Sequence, residues 1–158
     1  MECPPFAEGA MADENAAGCE FSKENLILHL DLAIPGDVQA IDPVVEKVMW
    51  VAGQMGCAKG KEFAIETALR ESLANAIVHG CEEDPGKEVR FVVACDETKG
   101  MMIIVRDPGG GFDPDDIPSP VSAECIYYEH GRGIYLINEL MDDVQIDRGG
   151  TEIRMRKD

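Results

Sequence analysis

Residues 61–80 read KEFAIETALRESLANAIVHG. Phe63, Leu69, Leu73, Ala76 and Ile77 recur at helical spacing, which predicts one helix over Glu62–Gly80. Glu71, Asn75 and His79 follow at steps of four and project from one stripe of it. A carboxylate, a carboxamide and an imidazole in a row suit a core poorly, since burying each unpaired costs about 1–3 kcal/mol. They suit the wall of a polar site, and the rest of the chain is arranged around that wall.

Toward the N-terminus, residues 1–22 are rich in Ala, Glu, Gly and Pro without apolar period, which predicts a flexible leader ahead of one domain at 23–158. LILHLDL at 26–32 alternates and predicts a strand with Leu26, Leu28, Leu30 and Leu32 on one face and His29 on the other; Ile34-Pro35-Gly36-Asp37 breaks it. Asp42-Pro43 starts a helix, Asp as cap and Pro at the first position, with Val44, Val45, Val48, Trp50, Val51 and Met55 as its apolar face and Gly56 as its stop. Lys59-Gly60-Lys61-Glu62 fails as a P-loop, with the spacing one short and Glu62 where a hydroxyl residue belongs.

Beyond the helix, Val89–Cys95 and Met101–Val105 form a hairpin, followed by the glycine turn Asp107-Pro108-Gly109-Gly110-Gly111-Phe112-Asp113. Pro114 to His130 lacks period, as a lid or binding loop does; Tyr127, Tyr128 and His130 take no assigned role. Gly131-Arg132-Gly133 opens a helix over Ile134–Met141, and Val144–Ile146 and Thr151–Met155 are short closing strands. This order predicts an α+β two-layer sandwich, with helices on one face of a mixed, mostly antiparallel sheet.

At 158 residues the chain fits a single domain, and a net charge of −17 argues against a nucleic-acid surface while permitting a basic protein partner or simple solubility. No run is long enough to span a membrane and the N-terminus lacks the pattern of a signal peptide, so a cytoplasmic protein is expected. Six scattered cysteines without a CxxC pair predict reduced thiols, with Cys57, Cys81 and Cys95 as small buried hydrophobes.

Each polar cluster has a plain reading by itself: a solvated face, a turn, a helix cap. Together they compose a nucleotide site. A helix N-terminus behind glycines offers N–H groups to phosphate. Asn75 can hold a hydrated Mg²⁺ through its amide oxygen. Asp107 can accept a hydrogen bond from an exocyclic amine such as that of adenine.

The motifs resemble the GHKL ATPase superfamily. Glu71-x-x-x-Asn75-Ala76-x-x-His79 is similar to its N-box, Asp107-x-Gly109-x-Gly111-Phe112 to its first glycine box, and Gly131-Arg132-Gly133-Ile134-x-Leu136-Ile137 to its second. Gly150-Thr151 is similar to the Gly-Thr that begins the last strand. The resemblance runs from about Leu26 to Arg156, and the compact size is nearest the anti-sigma-factor serine/threonine protein kinases. It implies that Asn75 ligates Mg²⁺, that Asp107 binds the adenine amino group with Thr151 nearby, and that Gly109, Gly111, Gly131 and Gly133 shape the pocket around ATP. It further implies that Glu71 is the general base toward a serine hydroxyl of an antagonist protein. Arg132 is placed either near the phosphates or toward solvent, and His79 either in support of Asn75, facing the lid, or at the nucleotide. The implied partners are a sigma factor and that antagonist, with no direct nucleic acid and no membrane; related kinases tend to pair through the first strand and helix, which leaves a homodimer open. Two other readings use the same boxes: a non-catalytic ATP-binding regulatory module, and a detached histidine-kinase catalytic domain.

Overall fold

The computed structural model describes residues 25–111 and 129–158, the side chains of 129–132 excepted. The expected leader, the lid with Tyr127, Tyr128 and His130, and Cys3, Cys19 and Cys125 lie outside the described residues or side chains. Strand β1 (Leu26–Pro35) leads through a short 3₁₀ turn at Val38–Ala40 to helix α1 (Ile41–Gln54), and helix α2 (Glu62–Asn75) continues into a π-helical turn over Ala76–Gly80. Strands β2 (Glu88–Asp96) and β3 (Gly100–Arg106) make the hairpin, followed by helix α3 (Glu129–Leu140) and strands β4 (Asp143–Asp147) and β5 (Glu152–Lys157). The sheet runs β1-β2-β3-β5-β4, and every pairing is antiparallel. All three helices bury their apolar residues on one face of it, so the α+β sandwich stands and its mostly antiparallel sheet is wholly so among the described residues.

The core is the seam between helices and sheet. From α1 come Ile41, Val45, Val48 and Ala52, from α2 Ile65, Ala68, Leu69 and Leu73, and from α3 Ile134 and Ile137. They meet Leu28 and Ile34 of β1, Val89, Phe91, Val93 and Cys95 of β2, and Met101, Ile103 and Val105 of β3. The alternation expected for β1 holds from Leu28 onward and runs through Ile34 to Pro35, past the expected break. A register shift between Leu26 and Leu28 inserts Ile27 as an extra residue and turns Leu26 to the opposite face, because one added residue reverses a two-residue period.

The helices depart from their expected faces. Trp50, Met55 and Phe63 are 66%, 44% and 73% exposed, so they are not core residues; Ile41, Ala52, Ile65 and Ala68 take the buried positions. Helix α1 begins ahead of Asp42, with Ala40 at its N-cap and no side-chain cap, while Asp37 caps the preceding 3₁₀ turn by accepting from the Gln39 N–H at 2.9 Å. Asp42 instead pairs with Arg70, whose Nε also donates to Glu66 at 3.1 Å, tying α1 to α2 at the surface. Helix α3 begins at Glu129, ahead of the glycines expected to precede it. In the hairpin turn one Asp96 oxygen accepts from the Thr98 and Lys99 N–H groups and the Thr98 hydroxyl; burial alone would raise its carboxyl, and these donors hold it below the usual range.

The cysteines bring a second correction. Cys57 and Cys95, expected as reduced thiols, form a disulfide with Cα atoms 6.1 Å apart, within the ordinary span of such a bond. The loop after α1 folds back onto the end of β2, a contact between residues 38 apart in sequence that no local spacing announces. Cys81 is free and buried, as expected. Closing a loop of this length removes unfolded-chain entropy worth about 4 kcal/mol. Reduction, or Cys57→Ser with Cys95→Ser, is expected to lower Tm by about 10 °C. Calorimetry with and without dithiothreitol checks this, and an unchanged Tm would show that the bond constrains nothing.

Candidate functional site

The polar stripe and the glycine turn converge at one end of the helix–sheet seam. Asn75, His79, Asp107, Gly111 and Thr151 line a single open cleft of about 380 Å³ together with Ser72, Ala76, Gly80, Val105, Gly150 and Ile153. The expected uniform helix changes winding inside the stripe: α2 ends at Asn75, and the Cys81 N–H bonds to the Ala76 carbonyl at 2.9 Å, five residues back. Four residues overshoot an α-helical turn of about 3.6 residues. A wider turn takes up that overshoot and keeps His79 on the side of Asn75. Such turns recur at functional sites.

Asp107 leaves β3 at the cleft floor. Its N–H donates to the Thr151 carbonyl at 3.0 Å, and its Oδ1 accepts from the Gly109 N–H at 2.7 Å. Burial raises its carboxyl above the ordinary aspartate value, only partly countered by the Gly109 N–H and by His79. A buried carboxylate with little charge nearby is a strong acceptor for a neutral N–H donor and a poor host for an anion. The neighbouring Cys81 thiol is pushed up by its own burial and then by Asp107, so it stays protonated at neutral pH.

The sign for Asp107 follows from that direction. A carboxyl raised on folding favours the folded state most at pH values below its unfolded value, and that contribution is lost as pH rises through the folded one. Asp107→Asn is therefore expected to raise Tm at pH 7, on the order of 2 °C, with the gain vanishing near pH 4. Binding of an N–H donor in the cleft is expected to run the other way. It uses the ionised acceptor, so in the parent it falls on acidification at a pH above the ordinary aspartate value, and in Asp107→Asn it is weaker but flat. Thermal melts and fluorescent-nucleotide titrations across pH 4–8 read both, and parallel profiles for parent and variant would refute it.

The glycines are placed by close approach. A Cβ on Gly80 would overlap the Asp107 carboxylate, and one on Gly109 would come within 2.7 Å of the Gly80 carbonyl oxygen. At Gly111, with φ +78°, an added Cβ would overlap the Gly149 carbonyl and come within 3.3 Å of the Thr151 methyl. A Cβ on Gly133 would sit 3.1 Å from Asn75 Nδ2 and 3.2 Å from Glu71 Oε1. That contact places α3 against the stripe and gathers Glu71, Asn75 and Gly133 at one point. Gly131 and Arg132 lie in the first turn of α3, where N–H groups have no intrahelical acceptor; the Arg132 side chain is outside the description. Gly109 stands behind Asp107, and Glu71 is not itself among the residues that line the cleft, though its neighbour Ser72 is.

Sequence reasoning missed Ser72 and Gly80 as parts of the site and quoted Gly150 in a motif without giving it a role there. Gly80 was legible only as a helix stop, since its partner Asp107 is distant in sequence. Ser72 is fully buried with its hydroxyl on the Leu69 carbonyl at 3.0 Å, so it fills the floor.

Asn75, in the cleft wall, would offer its amide oxygen to a magnesium ion of the kind that relies on phosphate and water. Its Nδ2, buried without a hydrogen-bond partner, is a donor and would take no part in holding the cation. No group of three acidic, histidine or cysteine residues able to hold a metal occurs among the described residues.

Residues 34–157 match the family model described as a histidine kinase-like ATPase domain. The chain belongs to that family. Among its relatives are proteins named serine-protein kinase RsbW from Bacillus thuringiensis (strain Al Hakam), Bacillus cereus (strain AH820) and Bacillus anthracis. Each is 33% identical over 133 residues, covering 77% of this chain and 80% of the relative. The histidine kinase-like ATPase domain thus takes in the whole cleft, from the stripe on α2 to Thr151. No helix among the described residues is long and apolar enough to cross a membrane.

Proposed function

We propose that this protein is a Mg-ATP-dependent serine/threonine protein kinase that acts as a cytoplasmic anti-sigma factor, phosphorylating an antagonist protein and sequestering a sigma factor. The observation that carries the reading is the meeting of Glu71 and Asn75 at Gly133, beside the cleft that Asn75 shares with Asp107 and Thr151. The relatives named serine-protein kinase support it.

In this reading Asp107 accepts from the adenine amino group, with Thr151 bonded to its backbone and beside it in the cleft. Burial makes Asp107 selective for a donor. Gly109 and Gly111 let the chain pass close under the base, and the first-turn N–H groups of Gly131 and Arg132 face the phosphates. Asn75 holds the magnesium ion, which when bound offsets charge on the transferred phosphoryl group. His79, exposed at the cleft rim, lends partial positive charge near Asp107. Glu71 accepts the proton of the attacking serine hydroxyl, which requires that hydroxyl within about 3 Å of its carboxylate.

The test is transfer of label from γ-labelled ATP to the antagonist protein, with acid hydrolysis of the product. Acid-stable phosphoserine or phosphothreonine is expected. An acid-labile product would identify a histidine kinase domain instead, and tight ATP binding with no transfer would identify a regulator without chemistry.

A further inference from the structure

Among the described residues two acids are buried, Asp96 and Glu152. Asp96 holds the hairpin turn, whereas Glu152, its side chain 4% exposed, has no part in the site described above. A carboxylate is buried at a cost that charge and hydrogen bonds must offset. Two guanidiniums do so here, Arg106 Nη2 at 3.0 Å and Arg148 Nε at 3.4 Å. Asp147 stands opposite Glu152 in the β4 register, which sets two carboxylates against two guanidiniums, and Arg90, opposite Arg106, pairs with Asp31 at 3.5 Å.

The group lies directly behind the cleft. Val105 and Asp107 on one segment, and Thr151 and Ile153 on the other, line the cleft. Alternation puts Arg106 and Glu152, which face each other in register, on the reverse of the same two segments. Each is next in sequence to a cleft residue, Arg106 to Asp107 and Glu152 to Thr151. The turn leading into β5 carries the third member. Arg148, Gly149 and Gly150 have φ of +55°, +67° and +97°. Glycine takes such values freely, while a residue with a side chain takes them seldom and under strain. Arginine thus stands where a third glycine would be the easier choice, and what it adds is the reach to Glu152. Its carbonyl accepts from the Thr151 hydroxyl at 2.9 Å and the Thr151 N–H at 3.4 Å. The next carbonyl, that of Gly149, occupies the space a Cβ on Gly111 would need. One strained turn therefore orients Thr151 and confines Gly111, and a buried ion pair holds that turn.

We propose that Glu152 is a positioning residue for base selection in the cleft: through Arg148 and Arg106 it fixes Thr151 against Asp107 and so favours a base that carries an exocyclic amine. The inference rests on the reading of the cleft as an ATP site. Glu152 itself touches no nucleotide, since it lies on the reverse of the strands. Its effect passes through the backbone, where the Asp107 N–H meets the Thr151 carbonyl at 3.0 Å. With the turn released, that contact loosens and the Asp107 carboxylate no longer has one place from which to accept.

The experiment uses the full chain, with ATP and inosine triphosphate as probes, which carry an amine and a carbonyl at the same position of the base. The parent is expected to bind ATP the tighter by about tenfold or more. Glu152→Gln keeps the volume and removes the charge. It is expected to weaken ATP by about tenfold and inosine triphosphate by less than about twofold, so that the preference is largely lost. Arg148→Ala leaves the Arg106–Glu152 pair in place and removes a side chain that is 34% exposed. It is expected to reduce the preference likewise, and it decides the matter if the first variant does not fold. Exchange of the Asp107 N–H, read by NMR without nucleotide, is expected to quicken about tenfold in either variant, while that of Val93 in mid-β2 keeps the parent rate. An unchanged preference overturns the inference. So does an equal loss for both triphosphates, or a uniform quickening of exchange, since a merely structural ion pair would give either. A parent that binds neither triphosphate overturns the assignment of the cleft to ATP, and exchange at Asp107 then still decides whether Glu152 holds the turn.

Discussion

Glu71→Gln is expected to lower phosphotransfer to the antagonist by about 10²–10⁴-fold, the usual contribution of a positioned general base. Nucleotide affinity should change by less than about threefold, since the carboxylate is assigned no contact with ATP. Glutamine is the informative replacement because it keeps the volume that packs against Gly133, where Glu71 Oε1 would lie 3.2 Å from a Cβ, and removes only the proton acceptor. Single-turnover transfer with labelled ATP, set beside equilibrium titration of a fluorescent nucleotide, separates the two effects. Transfer at the parent rate would make Glu71 an architectural acid. Loss of binding together with transfer would mean that the residue holds α2 against α3 and that its chemistry had been misassigned.

The second large effect belongs to a glycine. Gly80→Ala places a methyl group inside the volume of the Asp107 carboxylate, and neither the π-helical turn nor the start of the glycine turn can move without the other. Overpacking of this kind costs about 1–3 kcal/mol. Relief requires Asp107 to leave its place, so nucleotide affinity is expected to fall by about 10–100-fold, since each factor of ten is about 1.4 kcal/mol. Gly110→Ala is the matched control. A Cβ there meets no atom within 4 Å, and affinity and Tm should stay at parent values despite its position in the middle of the glycine run. Equal losses at 80 and 110 would show that flexibility of the run, and not close approach, is what the site needs.

The contrast between those two glycines also marks how far the sequence could be read. Periodic features were legible, because they depend on neighbours a few residues away. The alternation of β1 and the Glu71–Asn75–His79 stripe are of this kind, and the glycine boxes were legible from their order. Trp50 and Phe63 were misplaced because hydrophobicity names a preference for burial but not which arc of a helix meets the sheet. The disulfide between Cys57 and Cys95, the overlap of Gly80 with Asp107 and the pressing of Gly133 on Asn75 are contacts between distant segments. They exist only once the helices lie on the sheet. The bulge at Ile27 and the wide turn at Ala76–Gly80 are single-residue changes of register that leave composition untouched.

The strand order has a consequence for when the protein can work. β5 is the last strand in sequence, yet it lies between β3 and β4 and not at an edge. Until residues up to 157 have left the ribosome, β3 has no partner on that side and β4 has none at all. Thr151 cannot meet the Asp107 backbone, and the floor of the cleft is missing. A chain that has not yet placed this strand therefore carries its polar helix stripe and its glycine turn without the cleft between them. Assembly of the cleft is coupled to the insertion of one six-residue strand.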